Sequence, residues 1–300
     1  MRDYAYFEKM GWRTRVLNGV RGIFRQPVLE RWIQKRTDGA APGSLWVKLM
    51  PPEYSYAKGS RRSIERDGLK YELDISNATD HGAYFGYADK GDDNLSTHIR
   101  PAHTIIDIGG NIGIRAMGFA KLVPQGQVIS FEPDPDNFAR LRKHIAINGL
   151  RNVTARPFGI GPEERTHRLY QVVESNSGMN RIITGVDVAD RFPYKEVHVA
   201  PLSVALQGIP MKKVDVIKID VEGFEEAVLR GSEDIIRRDH PVMFIELDDD
   251  NLLENGGSAR SLIGFVESLG YLVQDAMTRE AIPASKELAH CHFDVLCVPQ

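Results

Sequence analysis

Three groups of residues have the types and spacing to do chemistry. The first is Asp107-Ile108-Gly109-Gly110-Asn111-Ile112-Gly113. Glycines so placed let the backbone turn sharply and let a ligand approach the main chain with no Cβ in the way. The second is Glu132, nineteen residues after Gly113, near the spacing at which nucleotide-binding α/β folds place the acid that accepts ribose hydroxyls. The third is Lys218, Asp220 and Glu222, which share a face in an extended segment, with Glu246 and the run Asp248-Asp249-Asp250 further on.

The first group discriminates between ligands. Its glycines, at 109, 110 and 113, do not fit GxGxxG, and the chain has no GxxxxGK[ST], so neither a dinucleotide fingerprint nor a P-loop is present. An acid stands two residues before the first glycine. A carboxylate there repels a pyrophosphate and suits the sulfonium and ammonium of S-adenosylmethionine. The alternatives are structural: Asp107 as a cap on the loop, and Glu132 as a charge favoured at a helix N-terminus.

These residues need a scaffold, and the hydrophobic pattern supplies one. Strands are expected at Thr104–Ile108, Gln127–Phe131, Val153–Phe158, Val214–Ile219, Val242–Glu246, Tyr271–Gln274 and Phe293–Val298. Helices are expected at Ile114–Val123, Pro135–Asn148 closed by Gly149, Glu225–Arg238 and Ala259–Leu269. Strands alternating with helices imply a mostly parallel sheet covered on both faces. The last two strands have no clear helix between them and read as an antiparallel hairpin. The glycine loop, Glu132 and the Lys218 segment all follow strands, on the carboxyl edge where open α/β sheets bind ligands.

Composition divides the chain near residue 100, into an N-terminal extension (1–99) and a cofactor-binding domain (100–300). Residues 1–40 hold nine Lys or Arg against four acids. Val16, Val20, Ile23 and Phe24 recur at helical spacing, giving a basic amphipathic helix, and Pro27 marks a helix start or break. This helix is either a solvated basic face packed on the main domain or a contact for an anionic glycan or membrane surface. Residues 37–60 read as irregular. Ser63–Asp74 reads as a hairpin turning at Asp67-Gly68. Residues 76–100, with His81, Tyr84, Phe85, Tyr87 and His98, either cover a pocket or form a surface loop.

Bulk properties exclude several classes. The chain has 300 residues, 42% apolar and 26% charged, with a net charge of −3. That is ordinary globular usage, with no general electrostatic grip on nucleic acid. No apolar run is long enough to span a bilayer, and Met1–Met10 shows no leader core. The two cysteines, Cys291 and Cys297, read as small hydrophobes of one strand. They lie roughly 20 Å apart if extended, well beyond the roughly 7 Å a disulfide tolerates. A reducing, cytoplasmic setting is expected.

Asp107-Ile-Gly-Gly-Asn-Ile-Gly113, Phe131-Glu-Pro133 and Lys218-Ile-Asp-Val-Glu-Gly-Phe-Glu225 together resemble the FkbM family of S-adenosylmethionine-dependent methyltransferases, over roughly residues 100–250. The third motif is the most specific. Gly110 stands where the family usually has another small residue. The resemblance implies a class I, seven-stranded, Rossmann-like methyltransferase sheet of order 3-2-1-4-5-7-6 with the last strand antiparallel. It also implies methylation of hydroxyls on sugars, glycans or secondary metabolites. The cofactor-binding set is then Asp107, Gly109, Gly110, Asn111, Gly113, Glu132 and Pro133, with Phe158 placed against the adenine by fold analogy.

Methyl transfer to a hydroxyl needs a base as the bond forms. Asp220 or Glu222 is the expected base or acceptor anchor, with Lys218 holding them; the alternative is a purely structural Lys218 ion pair. His98 and His81 are secondary candidate bases. A divalent metal between Asp220 and Glu246 is compatible with the donor types but is not assigned. Asp248-Asp-Asp250 reads as a solvated turn. Ser175–Asn180 lies in a long insertion that could shape an acceptor loop. The competing functions are a nicotinamide-dependent oxidoreductase on a similar sheet and a non-catalytic module that retains the fold.

Overall fold

The computed structural model describes residues 11–41, 43–86, 91–185 and 191–300, with only the backbone given for 91–93. Met1–Met10, read as lacking a leader core, and Tyr87 fall outside the described residues. The chain forms two compact units, Met1–Asp89 with Val173–Gly178, and Lys90–Val172 with Met179–Gln300. The division therefore falls at Lys90 rather than near residue 100, and part of the long insertion belongs to the first unit. Among the described residues no helix is long and apolar enough to cross a membrane.

The first unit holds α1 (Trp12–Ile23), α2 (Pro27–Thr37), α3 (Leu45–Leu49), the strands β1 (Arg61–Arg66) and β2 (Leu69–Asp74), and α4 (Ala78–Phe85). Pro27 opens α2, where its missing N–H costs nothing. The β1–β2 hairpin turns at Asp67 and Gly68, both at positive φ, as a two-residue primed turn requires. The 37–60 segment is not wholly irregular: Ser44 caps α3 by accepting from the Val47 amide. Buried Glu30 holds Arg62 through both carboxylate oxygens, at 2.6 and 3.0 Å. His81 is buried among Phe85 and Tyr56 and donates from Nε2 to the Pro51 carbonyl at 2.7 Å.

The second unit runs α5 (Gly91–Ser96), β3 (Thr104–Ile108), α6 (Ile114–Leu122), β4 (Gln127–Phe131), α7 (Pro135–Ile147), β5 (Val153–Arg156), β6 (Gly159–Ile160), β7 (Arg165–Tyr170), β8 (Arg181–Ile182), β9 (Tyr194–Ala200), α8 (Leu202–Ala205), β10 (Val216–Ile219), α9 (Glu225–Gly231), α10 (Glu233–Asp239), β11 (Val242–Asp248), α11 (Asp249–Glu254), α12 (Ala259–Ser268), β12 (Tyr271–Asp275) and β13 (His292–Pro299). Seven strands pair in the order β12-β13-β11-β10-β3-β4-β5. β13 is antiparallel to both neighbours, and β5, β4, β3, β10 and β11 pair in parallel. Alternate residues face opposite layers. Ile105, Val128, Val216 and Phe244 pack with Phe119 and Leu141 of α6 and α7. Ile106, Ile108, Ile217 and Met243 pack with Val228, Ile236 and Leu262 of α9, α10 and α12. Cys297 is in β13, Cys291 lies just before it, and both are free thiols.

Two features depart from the sequence reading. The expected helix Glu225–Arg238 breaks at Ser232 into α9 and α10. A Cβ on Gly231 would lie 2.2 Å from the Gly161 carbonyl oxygen, so the chain bends where it crosses that backbone. The insertion after β5 builds a second sheet of order β6-β9-β7-β8.

From β3 the chain winds outward to β5 and then returns to β10 on the other side of β3. The carboxyl ends of β3 and β10 therefore form the topological switch point, where such sheets bind ligands.

Candidate active site

At the switch point the glycine loop meets the end of β10. Gly109 has φ +83°, and a Cβ there would lie 1.8 Å from the Asp220 carbonyl oxygen. A Cβ on Gly110 would lie 2.0 Å from Ser130 Oγ. Asn111 sits at φ +48° and Gly113 at φ +90° before α6. The loop's amides are used within the protein. Gly109 and Gly110 donate to the Phe131 carbonyl, Asn111 donates to Glu132 Oε2 at 2.7 Å, and Gly113 donates to the Gly110 carbonyl. A phosphate cradle needs such amides free; here four of them are taken. The buried Asn111 Oδ1 has no hydrogen-bond donor among the described residues.

Glu132 follows β4, and its second oxygen accepts from the Asp134 amide at 2.8 Å. Two backbone amides thus fix the carboxylate and leave its other lone pairs for a ligand's hydroxyls. Burial pushes its pKa up to about 7, against those hydrogen bonds. Pro133 follows it, half-buried, and Asp134 caps α7. Asp134 also accepts from Lys195 Nζ of β9 at 2.8 Å and from Asn180 at 2.9 Å.

Asp107 is fully buried. Ser130 Oγ donates to its Oδ2 at 2.8 Å, and its Oδ1 faces Lys218 Nζ at 3.7 Å. These contacts hold the carboxylate against the loop, where a Cβ on Gly110 would lie 3.3 Å from its Oδ2. Burial raises its pKa and Lys218 opposes the rise. Lys218 Nζ also lies 3.0 Å from Asp220 Oδ2 and donates to the Gly109 carbonyl at 3.2 Å. Burial works against the ammonium, but Asp220 and Asp107 outweigh it and hold its pKa above the ordinary value.

Asp220 is partly exposed; burial opposes its charge, but Lys218, with Arg115 and Glu246, holds its pKa below the usual carboxylate range. Glu222 does not share the face of Lys218. It sits at φ +56°, beyond the strand, and accepts from Asn251 Nδ2 at 3.0 Å. Gly223 follows at φ +103°, because a Cβ there would meet the Asn251 carbonyl at 2.5 Å. Burial, then the charges of Asp220 and Glu225, push Glu222 up to about 8. Glu246, on β11, is pushed well above its ordinary value by burial and the same carboxylates. Asp220, Glu222 and Glu246 each offer one oxygen within 4.8 Å of the others. Such hard donors suit a magnesium or calcium ion; equally, the crowding favours retained protons. Glu225 opens α9 and accepts from the Val221 and Gly223 amides, and burial pushes it up to about 7.

Three expectations are corrected. His98 lines a cavity of about 290 Å³ with Arg100, His103, Lys213, Asp215 and His240, at the amino ends of β3, β10 and β11. A strand of four to five residues is roughly 15 Å long, so His98 cannot serve the carboxyl edge. His81 is a core residue whose burial drives its pKa down to about 4. Asp248-Asp-Asp250 is not a solvated turn. Asp248 caps α11 and accepts from the His292 ring at 2.8 Å, and buried Asp249 accepts from the Ala259 and His290 amides. Only Asp250 is exposed.

Phe158 follows β5 and sits partly buried, its ring edge-on to His198 at 5.4 Å between centroids. The sequence reading missed the groups behind Glu222. Arg181 of β8 donates to Asn251 Oδ1 and pairs with Glu254 at 3.0 Å. The Asp248-x-x-Asn251 spacing, with an N-cap three residues before a polar residue, was the available signal for α11.

A model of the methyltransferase FkbM domain matches residues 107–273, more than half of the chain. The chain belongs to the FkbM methyltransferase family. It is 30% identical over 145 residues to "Methyltransferase 1" of Beauveria bassiana, covering 43% of this chain and 58% of that protein. It is 24% identical over 192 residues to the "2-O-methyltransferase NoeI" of Sinorhizobium fredii, covering 58% of this chain and 75% of that one. Among solved structures, the FkbM methyltransferase of Methylobacillus flagellatus matches with a TM-score of 0.42 at 17% identity, over 66% of this chain and 44% of that one. The FkbM match spans the glycine loop, Glu132 and the Lys218–Glu225 segment.

Proposed function

We propose that this FkbM protein transfers a methyl group from S-adenosylmethionine to a hydroxyl of a sugar, glycan or secondary metabolite. The observation that carries this reading is the loop at 109–113. Four of its five amides are consumed internally, an unfilled acceptor is left at Asn111 Oδ1, and the carboxylates of Glu132 and Asp220 border it. That is a site for a ligand rich in donors and positive charge. The residues fit the cofactor: Gly109, Gly110 and Gly113 allow close approach, Glu132 takes ribose hydroxyls, and Asn111 and the Asp220 edge face its polar groups.

When bound, the cofactor supplies an activated methyl group on a good leaving group. The protein's task is to align the acceptor oxygen with it, and alignment alone contributes about 7–11 kcal/mol. Asp220, kept ionised by Lys218, anchors the acceptor. Glu222 and Glu246, whose raised pKa values favour the protonated form at neutral pH, become able to take the hydroxyl proton as pH rises and they ionise. The O-directed relative supports a hydroxyl acceptor. The seven-stranded order with β13 antiparallel supports a class I assignment of the second unit. The test is incubation with the cofactor and a panel of sugars, followed by mass spectrometry. Gain of a methyl on an oxygen supports the reading; cofactor binding without turnover on any acceptor favours a binding module.

A further inference from the structure

Helix α1 is inverted. Its polar side is the one bonded to the rest of the unit: Asn18 donates to the Tyr54 hydroxyl at 3.0 Å, Arg21 donates to the Lys48 carbonyl at 2.7 Å, and Arg25, just past the helix, donates to the Ser55 carbonyl. Its apolar side faces out. Trp12, Val16, Val20 and Ile23 are 72%, 61%, 44% and 57% exposed, and α1 buries no residue. At 100° per residue these four fall within an arc of about 80°. In the same unit Val28, 79% exposed, and Trp32, 41% exposed and stacked on Phe24 just past α1, add further apolar surface. An apolar stripe turned to solvent while polar groups hold the helix in place adds nothing to the core, and exposed patches of this kind mark interaction sites.

Charge selects the partner. From Gly11 to Leu29 there are four arginines, Arg13, Arg15, Arg21 and Arg25, and no acid. Among the described residues none of the four forms a carboxylate ion pair. Arg13 lies over the Trp12 ring, 5.6 Å from its centroid, placing an aromatic and a cation at the stripe's edge. Tryptophan beside arginine is the composition of a membrane–water interface. A second copy of the chain would bring the same arginines together across a two-fold axis. We infer that the outward face of α1 docks on an anionic lipid bilayer, with Trp12, Val16, Val20 and Ile23 entering the headgroup boundary and the arginines meeting lipid phosphates.

The test is co-sedimentation of the full chain with phosphatidylglycerol–phosphatidylcholine vesicles and with phosphatidylcholine vesicles alone. The expected result is binding to the anionic vesicles, weakened about tenfold or more on neutral ones. The triple variant Val16→Asp, Val20→Asp, Ile23→Asp should lose about tenfold or more in vesicle affinity with an unchanged unfolding midpoint, since those side chains touch solvent. No binding to anionic vesicles, or binding that the triple variant retains, overturns the inference. So does a dimer in sedimentation velocity that the variant dissolves without any vesicle binding, which would give the face to a second copy.

Discussion

Gly109 and Asp220 approach each other so closely that a Cβ on Gly109 would lie 1.8 Å from the Asp220 carbonyl oxygen. The glycine loop and the end of β10 are thus one backbone-packed object, and Gly109 must also hold φ +83°. Gly109→Ala should destabilise the protein by roughly 2–5 kcal/mol, from strain and overpacking together, and abolish cofactor binding. Gly118→Ala, in α6 with open space around it, should instead stabilise by roughly 0.5–1 kcal/mol. Urea unfolding of both variants checks the pair; an unshifted midpoint for Gly109→Ala would contradict the packing described.

Lys218 is the buried cation that pairs with both buried Asp107 and partly exposed Asp220. Lys218→Met leaves Asp107 buried and unpaired, a change worth about 3–5 kcal/mol of lost stability. The double variant Lys218→Met, Asp107→Asn should recover much of it. If the single variant unfolds at the parent's urea concentration, the ion pair is idle.

The sheet was legible because short continuous apolar runs alternate with segments of helical period. The strands Thr104–Ile108 and Gln127–Phe131 fall where short continuous apolar runs put them, and both are buried on their two faces. The second sheet was not legible, since β6 and β8 are two residues each and too short to show a period. The acidic site was half legible. Asp220 and Lys218 follow from strand alternation, but the left-handed turn at Glu222 swings that side chain toward Asn251, and Arg181 arrives from the unread sheet. Asp107 was legible as a carboxylate beside the loop, but its partners Ser130 and Lys218 were not, since both are distant in sequence.

Stability should fall as pH rises through the neutral range. Glu132, Glu222 and Glu225 have folded pKa values of about 7, 8 and 7, raised from 4.5. Between the unfolded and folded values the native state binds more protons, so the slope of unfolding free energy with pH is negative. The contribution is full below about pH 4.5 and lost above about 8. Thermal unfolding should give a lower midpoint at pH 8.5 than at pH 6, and Glu222→Gln should shrink the difference. A midpoint that rises over this range would contradict the assigned directions.

A protonated carboxyl cluster and a metal site make opposite predictions. With Glu222 or Glu246 as the proton acceptor, turnover should rise with pH toward a plateau and survive chelation by EDTA. Glu222→Gln and Glu246→Gln should each lower kcat by roughly 10²–10⁴ if that residue carries the proton transfer. Loss of turnover on chelation, restored by magnesium, would reassign Asp220, Glu222 and Glu246 to a metal.

The most direct measurement is calorimetric titration of the full chain with S-adenosylmethionine and, separately, with NADH. A loop with four amides already spent and acidic borders should give saturable heat with the sulfonium nucleoside, weakened at least about tenfold by Glu132→Ala through loss of charge-assisted ribose hydrogen bonds, and none with the dinucleotide. Saturable heat from NADH alone would contradict the account at its root.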